Sequence, residues 1–308
     1  MDVSIIIVNY NTKDLTRNCL NSIFEQTKDI KFEVIISDNG SKDGSIEMIK
    51  SEFPQVVLIE NNANLGFGKA NNKGLKIAKG KYIFYLNSDT ILLNNAVKIF
   101  FDYWENSKET LGALGCQLLG KEMKPVTSYG SFPTSKKIIT DIFHNVISTY
   151  HKTLKHWLFG YKFKPLKSQI FNYTEKNYVD FIIGADLFVK NDKFAKFDDN
   201  IFMYYEEVDL QYIMKKNNLI RKIINTPKIV HLEGMSSTNI IYECLDHASF
   251  RGIHDSISKI YFLKKHQYNF FIIFILQIFT LFLWINPILY KNTKKYIKYI
   301  FYPKHCHN

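Results

Sequence analysis

The sequence has few cysteines, and none of them are arranged as in a disulfide scaffold or a zinc site. The four cysteines are scattered along 308 residues, at Cys19, Cys116, Cys244 and Cys306, with no CxxC pair. Structural zinc sites need ligands at short, fixed spacings, and small secreted domains need closely spaced cysteines. We therefore expect a reduced, cytosolic protein, long enough to bury a full apolar core.

A recognisable leader is also lacking. The first apolar run begins at Val3, with no basic segment or cleavable apolar stretch before it, so we expect no signal peptide. The sequence contains no internal repeat and no low-complexity linker, which argues against a repeat architecture.

Acidic residues are in short supply. The chain has 29 Asp and Glu against 40 Lys and Arg, which gives a net charge of +11 and a pI near 9.2. Such a balance suits nucleic acid, anionic lipid or phosphorylated substrates. Much of the excess lies in the last fifty or so residues, beside an uncharged apolar run. We therefore expect a membrane surface as a partner and no nucleic acid.

That apolar run is the main feature of the C-terminal region. No residue from Gln267 to Tyr290 is charged, and Phe270 to Ile285 is apolar almost all round, which meets the length criterion for a membrane-spanning segment. Lysines flank both sides, so a single span would leave one basic flank outside the cytoplasm. The Asn286-Pro287 pair is able to end the helix and turn it back. We expect attachment to the cytoplasmic face of a membrane, and leave open a span, an in-plane or re-entrant segment, and a buried helix in a soluble dimer.

In the first hundred residues, strand and helix periodicities alternate regularly. Short apolar runs bounded by polar turns predict strands at 3–9, 32–37, 56–60 and 81–86, and helical patterns predict helices at 15–26, 45–53 and 68–78. This alternation predicts an α/β fold of Rossmann-like type, with a mainly parallel sheet and helices on both faces.

After residue 116 the pattern is less regular. Residues 121–178 mix aromatic residues, histidines and lysines, which fits either an acceptor groove or ordinary packing. Strand character returns at 179–190 and 220–232, and helices are predicted at 206–216 and 245–264, the last of them amphipathic.

Polar clusters follow several of the predicted strands or open the predicted helices. They lie in segments 4–11, 34–45, 82–90 and 204–210. In an open α/β sheet, ligands bind beyond the carboxyl ends of the strands. Asp89, which ends the run Tyr82-Ile-Phe-Tyr-Leu-Asn-Ser-Asp89, is placed to hold a divalent cation there.

In this order and spacing, the four segments resemble the family 2 glycosyltransferases, inverting enzymes that use nucleotide sugars and have a GT-A fold, and within them the rhamnosyltransferase-like branch. The resemblance covers about residues 3–265. It implies a nucleotide-sugar-binding half at residues 1–115 and an acceptor-binding half at 116–245. The hydropathy pattern adds an amphipathic helix with an apolar membrane-associating tail at 246–308.

The resemblance assigns three residues to the nucleotide. Asp38, after the second strand, would accept the N3–H of uracil or thymine, and Asn9 would lie against the same base and ribose. Asn71, in the stretch Asn64-Leu-Gly-Phe-Gly-Lys-Ala-Asn71, would cover the nucleotide and donor sugar. The alternatives are structural: Asp38 as a turn acid before a helix, and Asn71 in a glycine-rich turn whose asparagines satisfy backbone groups.

The resemblance also implies a metal site. Asn87-Ser-Asp89 is this chain's version of the family's DxD motif, with Asn87 in place of the first aspartate and therefore one carboxylate fewer. Asp89 would bind Mg²⁺ or Mn²⁺, and Asn87 the donor. His231 matches the late histidine that completes such a site. The alternative is a histidine with a structural role.

The general base is implied by the segment Glu206-Glu207-Val-Asp209. Glu207 stands where the family has the second acid of its ED motif, although Asp is usual there. An inverting displacement needs a carboxylate to take the proton of the acceptor hydroxyl. Two alternatives remain: acids that complement the dipole of a helix N-terminus, and Glu206 as the base.

The implied function is a metal-dependent, inverting transfer of rhamnose or a similar sugar from a UDP- or dTDP-sugar to a growing, lipid-linked cell-surface polysaccharide. The alternative is a catalytically inactive nucleotide-sugar-binding or scaffold subunit of a glycan-assembly complex, which the departures at Asn87 and Glu207 suggest.

Overall fold

The structure is a computed structural model that describes residues 1–160, 162, 177–232, 246–286 and 289–303. The chain divides into two compact units. The first comprises Met1–Phe132, Phe171–Asp199 and Glu206–Ser237, and the second Pro133–Ile170, Asn200–Tyr205 and Thr238–Asn308.

The first unit begins with regular alternation of strands and helices. In chain order its elements are β1 (Val3–Asn9), α1 (Lys13–Gln26), β2 (Phe32–Asp38), α2 (Ser45–Glu52), β3 (Val57–Glu60), α3 (Phe67–Leu75), β4 (Tyr82–Leu86), β5 (Thr90–Leu92), α4 (Ala96–Asn106) and β6 (Leu111–Cys116). All seven elements predicted in this region are confirmed, with ends that differ by at most three residues.

The remaining elements are divided between the two units. They are β7 (Tyr129–Gly130), α5 (Ser135–Phe159), β8 (Phe181–Ile182), β9 (Asp186–Lys190), α6 (Glu206–Lys216), β10 (Ile220–Ile224), β11 (Ile229–His231), α7 (Phe250–Lys265), α8 (Phe270–Trp284), α9 (Tyr290–Thr293) and α10 (Ile297–Phe301), with 3₁₀ turns at Asp246–Ala248 and Lys294–Tyr296.

A seven-stranded sheet forms the centre of the first unit. Its strand order is β10-β6-β9-β4-β1-β2-β3. Strands β3, β2, β1 and β4 are parallel, β10 is parallel to β6, and β9 is antiparallel to both of its neighbours. The predicted mixed α/β fold with a mainly parallel sheet is therefore confirmed.

Both faces of this sheet are buried. Ile5 and Ile7 of β1 pack into one apolar cluster, and Ile6 between them packs into the other. Side chains alternate across a strand, so a run such as Ser4-Ile-Ile-Ile-Val8 supplies both faces at once. This explains why the strand reads as a continuous apolar run.

The structure differs from the sequence interpretation in residues 121–178. Residues 135–159 form one helix of 25 residues, α5, in a region expected to be irregular. The apolar residues of α5 fall on two separate stripes, so they show no single helical period.

The C-terminal apolar run contains α8, which has 15 residues. Among the residues that the structure describes, no helix is long and apolar enough to cross a membrane. Pro287 and Ile288, within the run, lie outside the described residues. The boundaries proposed at residues 115 and 245 stay predictions.

Candidate functional site

The carboxyl ends of β1 and β2 bring Asn9 and Asp38 together. The two strands are parallel, and Asn9 is paired with Asp38 at the end of the register. Asn9 Nδ2 donates to Asp38 Oδ2 at 2.6 Å and to Ser41 Oγ at 3.0 Å. Its Oδ1 accepts hydrogen bonds from the hydroxyls of Thr12 and Thr16. Both side chains are buried, so Asn9 has a fixed orientation.

Asp38 also holds the turn that follows β2. Its Oδ1 accepts from the N–H groups of Gly40 at 2.9 Å and Ser41 at 2.8 Å. Gly40 has a φ of 80°, and a Cβ there would lie 3.0 Å from Ala63 N, so this position requires glycine. The structural role weighed for Asp38 is thus real. A base contact stays a prediction, and Oδ2 retains acceptor capacity for it.

A second group of polar side chains lies after β4. Asn87 follows this strand, and its N–H donates to Ala185 O at 3.1 Å. Strand β5 pairs antiparallel with β11, which sets Thr90 opposite His231. His231 Nε2 therefore lies 3.3 Å from Asp89 Oδ1 and 3.4 Å from Asn87 Nδ2. Asp89 and His231 are both buried, at 9% and 8% exposure.

A hydroxyl pair joins the two groups. Thr12 Oγ1, which bonds to Asn9, lies 3.1 Å from Ser88 Oγ, the middle residue of the Asn87-Ser-Asp89 motif. The predicted nucleotide residues and the predicted metal residues therefore belong to one polar network at the end of the parallel strands. The sequence analysis did not single out Thr12, although it is a hydroxyl residue just beyond the first strand.

Asp89 and His231 fit a divalent cation. Two ligands at right angles on an octahedral ion, each at about 2.1 Å, are about 3 Å apart, which is close to the observed 3.3 Å. In the described part of the chain, no group of three or more His, Cys, Asp or Glu residues is placed to hold a metal. Mg²⁺ and Mn²⁺ commonly share their coordination positions with water and phosphate oxygens, so two protein ligands are compatible with either ion.

Asn71 lies in the middle of α3. It is 1% exposed, and its Nδ2 donates to Phe67 O at 3.1 Å, one turn earlier in the helix. Its neighbour Asn72 donates to Phe197 O and accepts from Phe197 N, and so holds α3 against a distant loop. These contacts agree with the structural alternative, in which the asparagines of this stretch satisfy backbone groups, and contact of Asn71 with a nucleotide stays a prediction.

The acidic residues at the start of α6 have different surroundings. Glu206 is 2% exposed and packs beside α3, where a Cβ on Gly68 would lie 3.3 Å from Glu206 Cγ. Burial, together with the neighbouring charge of Glu207, holds the pKa of Glu206 well above its usual range. Glu207 is only half-buried. Glu206 is therefore a packed side chain whose burial disfavours the charged form, and Glu207 is the more accessible of the two acids.

The backbone is strained directly before these acids. Tyr204 and Tyr205 have φ values of 64° and 72°, in the left-handed region that non-glycine residues rarely adopt. Two consecutive residues of this kind are costly and persist only where the surrounding structure holds them. The sharp turn sets the direction in which α6 starts.

Sequence reasoning missed Asp186, the first residue of β9. It pairs with Leu86 at the end of β4 and is fully buried. Its Oδ2 accepts from Cys116 N at 2.6 Å, and its Oδ1 has no hydrogen-bond partner among the described residues. Burial raises the pKa of Asp186 to about 7, against the effects of Cys116 and His231. The only available signal was an acid opening the apolar run Leu187-Phe-Val189.

Cys19 and Cys116 are free, buried thiols. Burial raises the pKa of Cys19 to about 12, so it is not an activated nucleophile. The other two cysteines, and the residues Glu233 to Ser236 after His231, lie outside the described part of the chain.

One known protein family matches about half of the chain. A family model described as Glycosyl transferase family 2 matches residues 4–161. That range contains Asn9, Asp38, Asn71, Asn87 and Asp89, whereas Glu207 and His231 lie beyond it.

Two curated relatives are similar to part of the chain. A poly(ribitol-phosphate) beta-glucosyltransferase of Bacillus spizizenii is 35% identical over 121 residues, which cover 37% of this chain and 19% of the relative. A UDP-Glc:alpha-D-GlcNAc-diphosphoundecaprenol beta-1,3-glucosyltransferase of Escherichia coli is 40% identical over 113 residues, 33% of this chain and 44% of the relative. The chain thus spans less than half the length of either.

A solved structure shares the fold. A mannosyltransferase of Pyrobaculum calidifontis, in complex with GDP-Man and Mn²⁺, superposes with a TM-score of 0.54 and 13% identity, covering 98% of this chain and 73% of that one. At this identity the likeness supports the fold alone.

Proposed function

The chain belongs to glycosyl transferase family 2, and we propose that it transfers a sugar, rhamnose or a similar hexose, from a UDP- or dTDP-linked donor to a growing, lipid-linked cell-surface polysaccharide. The observation that carries the proposal is the polar network at the end of the parallel strands, in which Asn9 and Asp38 connect through Thr12 and Ser88 to Asp89 and its neighbour His231. The curated relatives support a polymeric or lipid-linked acceptor, since their names specify poly(ribitol-phosphate) and a diphosphoundecaprenol.

Donor binding falls to the residues after β1, β2 and β4. In this proposal Asp38 Oδ2 accepts a hydrogen bond from an N–H group of the nucleobase, while the side chain of Asn9 orients the carboxylate of Asp38. Asn87 and Asn71 contact the donor. Asp89 and His231 hold the cation, Mg²⁺ or Mn²⁺, which supplies Lewis-acid stabilisation of the charge on the departing nucleoside diphosphate.

The chemical step needs a base on the acceptor side. The oxygen of the acceptor hydroxyl attacks C1 of the sugar, the bond from C1 to the diphosphate oxygen breaks, and a carboxylate takes the hydroxyl proton. We assign that role to Glu207, because it is half-buried whereas Glu206 is buried and its pKa is raised. Attack opposite the leaving group inverts the anomeric carbon.

A lipid-linked acceptor places the reaction at a membrane, and nucleotide sugars are made in the cytosol. We therefore propose that the protein works at the cytoplasmic face of a membrane. The excess positive charge of the C-terminal region supports contact with anionic lipid.

The proposal is tested by measuring nucleoside diphosphate release from a panel of UDP-, dTDP- and GDP-sugars, with Mn²⁺ or with EDTA. We expect release from a UDP- or dTDP-sugar that depends on the metal and rises with a diphosphoundecaprenol-linked acceptor analogue. Thermal shift on the same samples measures donor binding independently. Donor binding without any release or transfer would indicate the inactive subunit instead. Preference for a GDP-sugar would overturn the assignment of uracil or thymine as the nucleobase of the donor.

A further inference from the structure

Helix α5 exposes a stripe of large apolar side chains. Six residues form what we call the α5 stripe: Phe143, Ile147, Tyr150, Leu154, Trp157 and Leu158. At 100° per residue they fall within an arc of about 100°. Ile147 and Trp157 are 65% and 67% exposed. A row of large apolar side chains that is exposed along one side of a helix points to a site of interaction.

The other two faces of α5 are a buried face and a polar face. Ile138, Ile142, Thr149 and Thr153 are buried along a second stripe. A third face is polar and includes the exposed His144, His151 and Lys155. The helix is therefore amphipathic on its outer side, with the α5 stripe next to a face of histidines and lysines.

Helix α8 lies along α5 and extends the apolar surface. The rings of Phe143 and Phe279 are 5.2 Å apart, Tyr150 Oη donates to Phe282 O at 2.8 Å, and Asn286 Nδ2 donates to Thr153 Oγ1 at 3.2 Å. Residue numbers rise together on both sides, so the helices run in the same direction. Helix α8 contributes its own exposed residues: Phe270, Phe271, Phe274, Phe282 and Ile285.

The two segments that form this surface have a net positive charge. Helix α5 has four lysines and one aspartate, and residues 246–303 have eight Lys or Arg against two Asp. These two segments therefore carry +9 of the chain's net +11. A surface with this charge is complementary to anionic lipid headgroups and repels a second copy of itself.

We propose that α5 and α8 form a docking face for an anionic bilayer, in which both helices lie in the plane of the membrane and the α5 stripe enters the boundary between headgroups and acyl chains. A one-sided apolar stripe beside lysines is the pattern of interfacial helices. Tyr150 and Trp157 suit this boundary because each has an apolar ring and a polar group. The inference deepens the proposed function and rests on it for the reason why the protein docks to a membrane. It adds α5 to the C-terminal segment that the sequence predicts to contact the membrane.

The test is flotation of the full chain with vesicles of phosphatidylcholine, with or without about a third phosphatidylglycerol. The test variant is Ile147→Glu with Leu154→Glu, and the matched control is His144→Glu with His151→Glu. Both pairs are exposed and lie seven residues apart on the same helix, and each variant introduces two glutamates. Circular dichroism melts establish that each variant folds.

We expect wild type to float with the anionic vesicles, the Ile147/Leu154 variant to lose at least tenfold in partitioning, and the histidine control to lose much less. A lipid brominated in the acyl chain should quench Trp157, and the quenching should disappear in Trp157→Phe. Equal losses in the two variants would show that charge alone matters and would overturn the α5 stripe as the inserting surface. Failure of wild type to bind vesicles, with a dimer that only the Ile147/Leu154 variant abolishes, would show an interface between copies instead.

The result is independent of the proposed chemistry, because transfer to a water-soluble acceptor analogue is measured separately. Loss of vesicle binding with transfer intact concerns docking alone. Vesicle binding without transfer would refute the proposed function and leave the docking face standing.

Discussion

The buried carboxyl group of Asp186 gives the sharpest prediction for stability. Replacing it by asparagine keeps its size and leaves an oxygen to accept the hydrogen bond from Cys116 N. The main change is then the loss of a titrating group, since Asp186 Oδ1 has no hydrogen-bond partner among the described residues. We expect Asp186→Asn to stabilise the protein, and to do so more at high pH.

The direction of this pH dependence follows from the raised pKa of Asp186. Below pH 3.8, the ordinary value, Asp186 is protonated in both the folded and the unfolded state and contributes no pH dependence. As pH rises, the unfolded state ionises first, and the folded state is penalised until its own pKa of about 7 is passed. The full penalty is about 4 kcal/mol, at about 1.4 kcal/mol per pKa unit. About 2–3 kcal/mol of it accumulates between pH 5 and pH 8.

The assay is urea unfolding of both proteins at pH 5 and pH 8, in EDTA so that no cation bound near His231 changes the titration. The gain in unfolding free energy for Asp186→Asn should be larger at pH 8 by about 2–3 kcal/mol. Asp192→Asn, at an exposed carboxylate, is the control for the loss of one negative charge. An equal gain at both pH values would refute the reasoning.

Three further predictions concern the site and the sheet. Asp38→Ala should lower the free energy of unfolding by about 1–3 kcal/mol, because buried donors lose their acceptor, and should weaken UDP or dTDP binding by calorimetry; unchanged affinity would remove Asp38 from the nucleotide site. Asp89→Ala should abolish Mn²⁺-dependent transfer and His231→Ala should weaken Mn²⁺ binding, while full activity in EDTA would contradict both. Gly80→Ala should destabilise the folded protein by more than about 3 kcal/mol in thermal melts, because the added Cβ would lie 2.3 Å from Ser4 N, in backbone that cannot move aside. A variant with the melting temperature of the wild type would exclude this close approach.

Much of the first unit could be predicted from sequence, for physical reasons. Strands such as β1 and β4 are short apolar runs between polar turns, and their burial on both faces makes them continuous in sequence. Once the strands are parallel, Asn9 and Asp38 must meet, because both end a strand at the same edge.

The rest depends on contacts that are distant in sequence or on composition that hides a period. The 3.3 Å approach of His231 to Asp89 needs the antiparallel pairing of β5 with β11. The burial of Asp186 depends on β6, some 70 residues earlier. Helix α5 was missed because the α5 stripe and the buried stripe overlap in sequence and together resemble an irregular apolar segment.

The choice between Glu206 and Glu207 could not be made from sequence, since both acids open the same helix. The structure separates them by burial, with Glu206 packed beside Gly68 and Glu207 half-buried. Burial of this kind depends on α3 and α6 meeting in the fold, which no local pattern reveals.

The most direct test of the account is the rate of sugar transfer in a single turnover by Glu207→Gln and Glu206→Gln, compared with wild type at saturating donor and Mn²⁺. Each change keeps size and hydrogen bonding and removes only a carboxylate. We predict that Glu207→Gln lowers the rate by about 10²- to 10⁴-fold with little change in donor affinity, and that Glu206→Gln, which replaces a buried acid packed beside α3, changes it only slightly. Comparable loss in both variants, a larger loss in Glu206→Gln, or a wild-type rate in Glu207→Gln would contradict the assignment of Glu207 as the base.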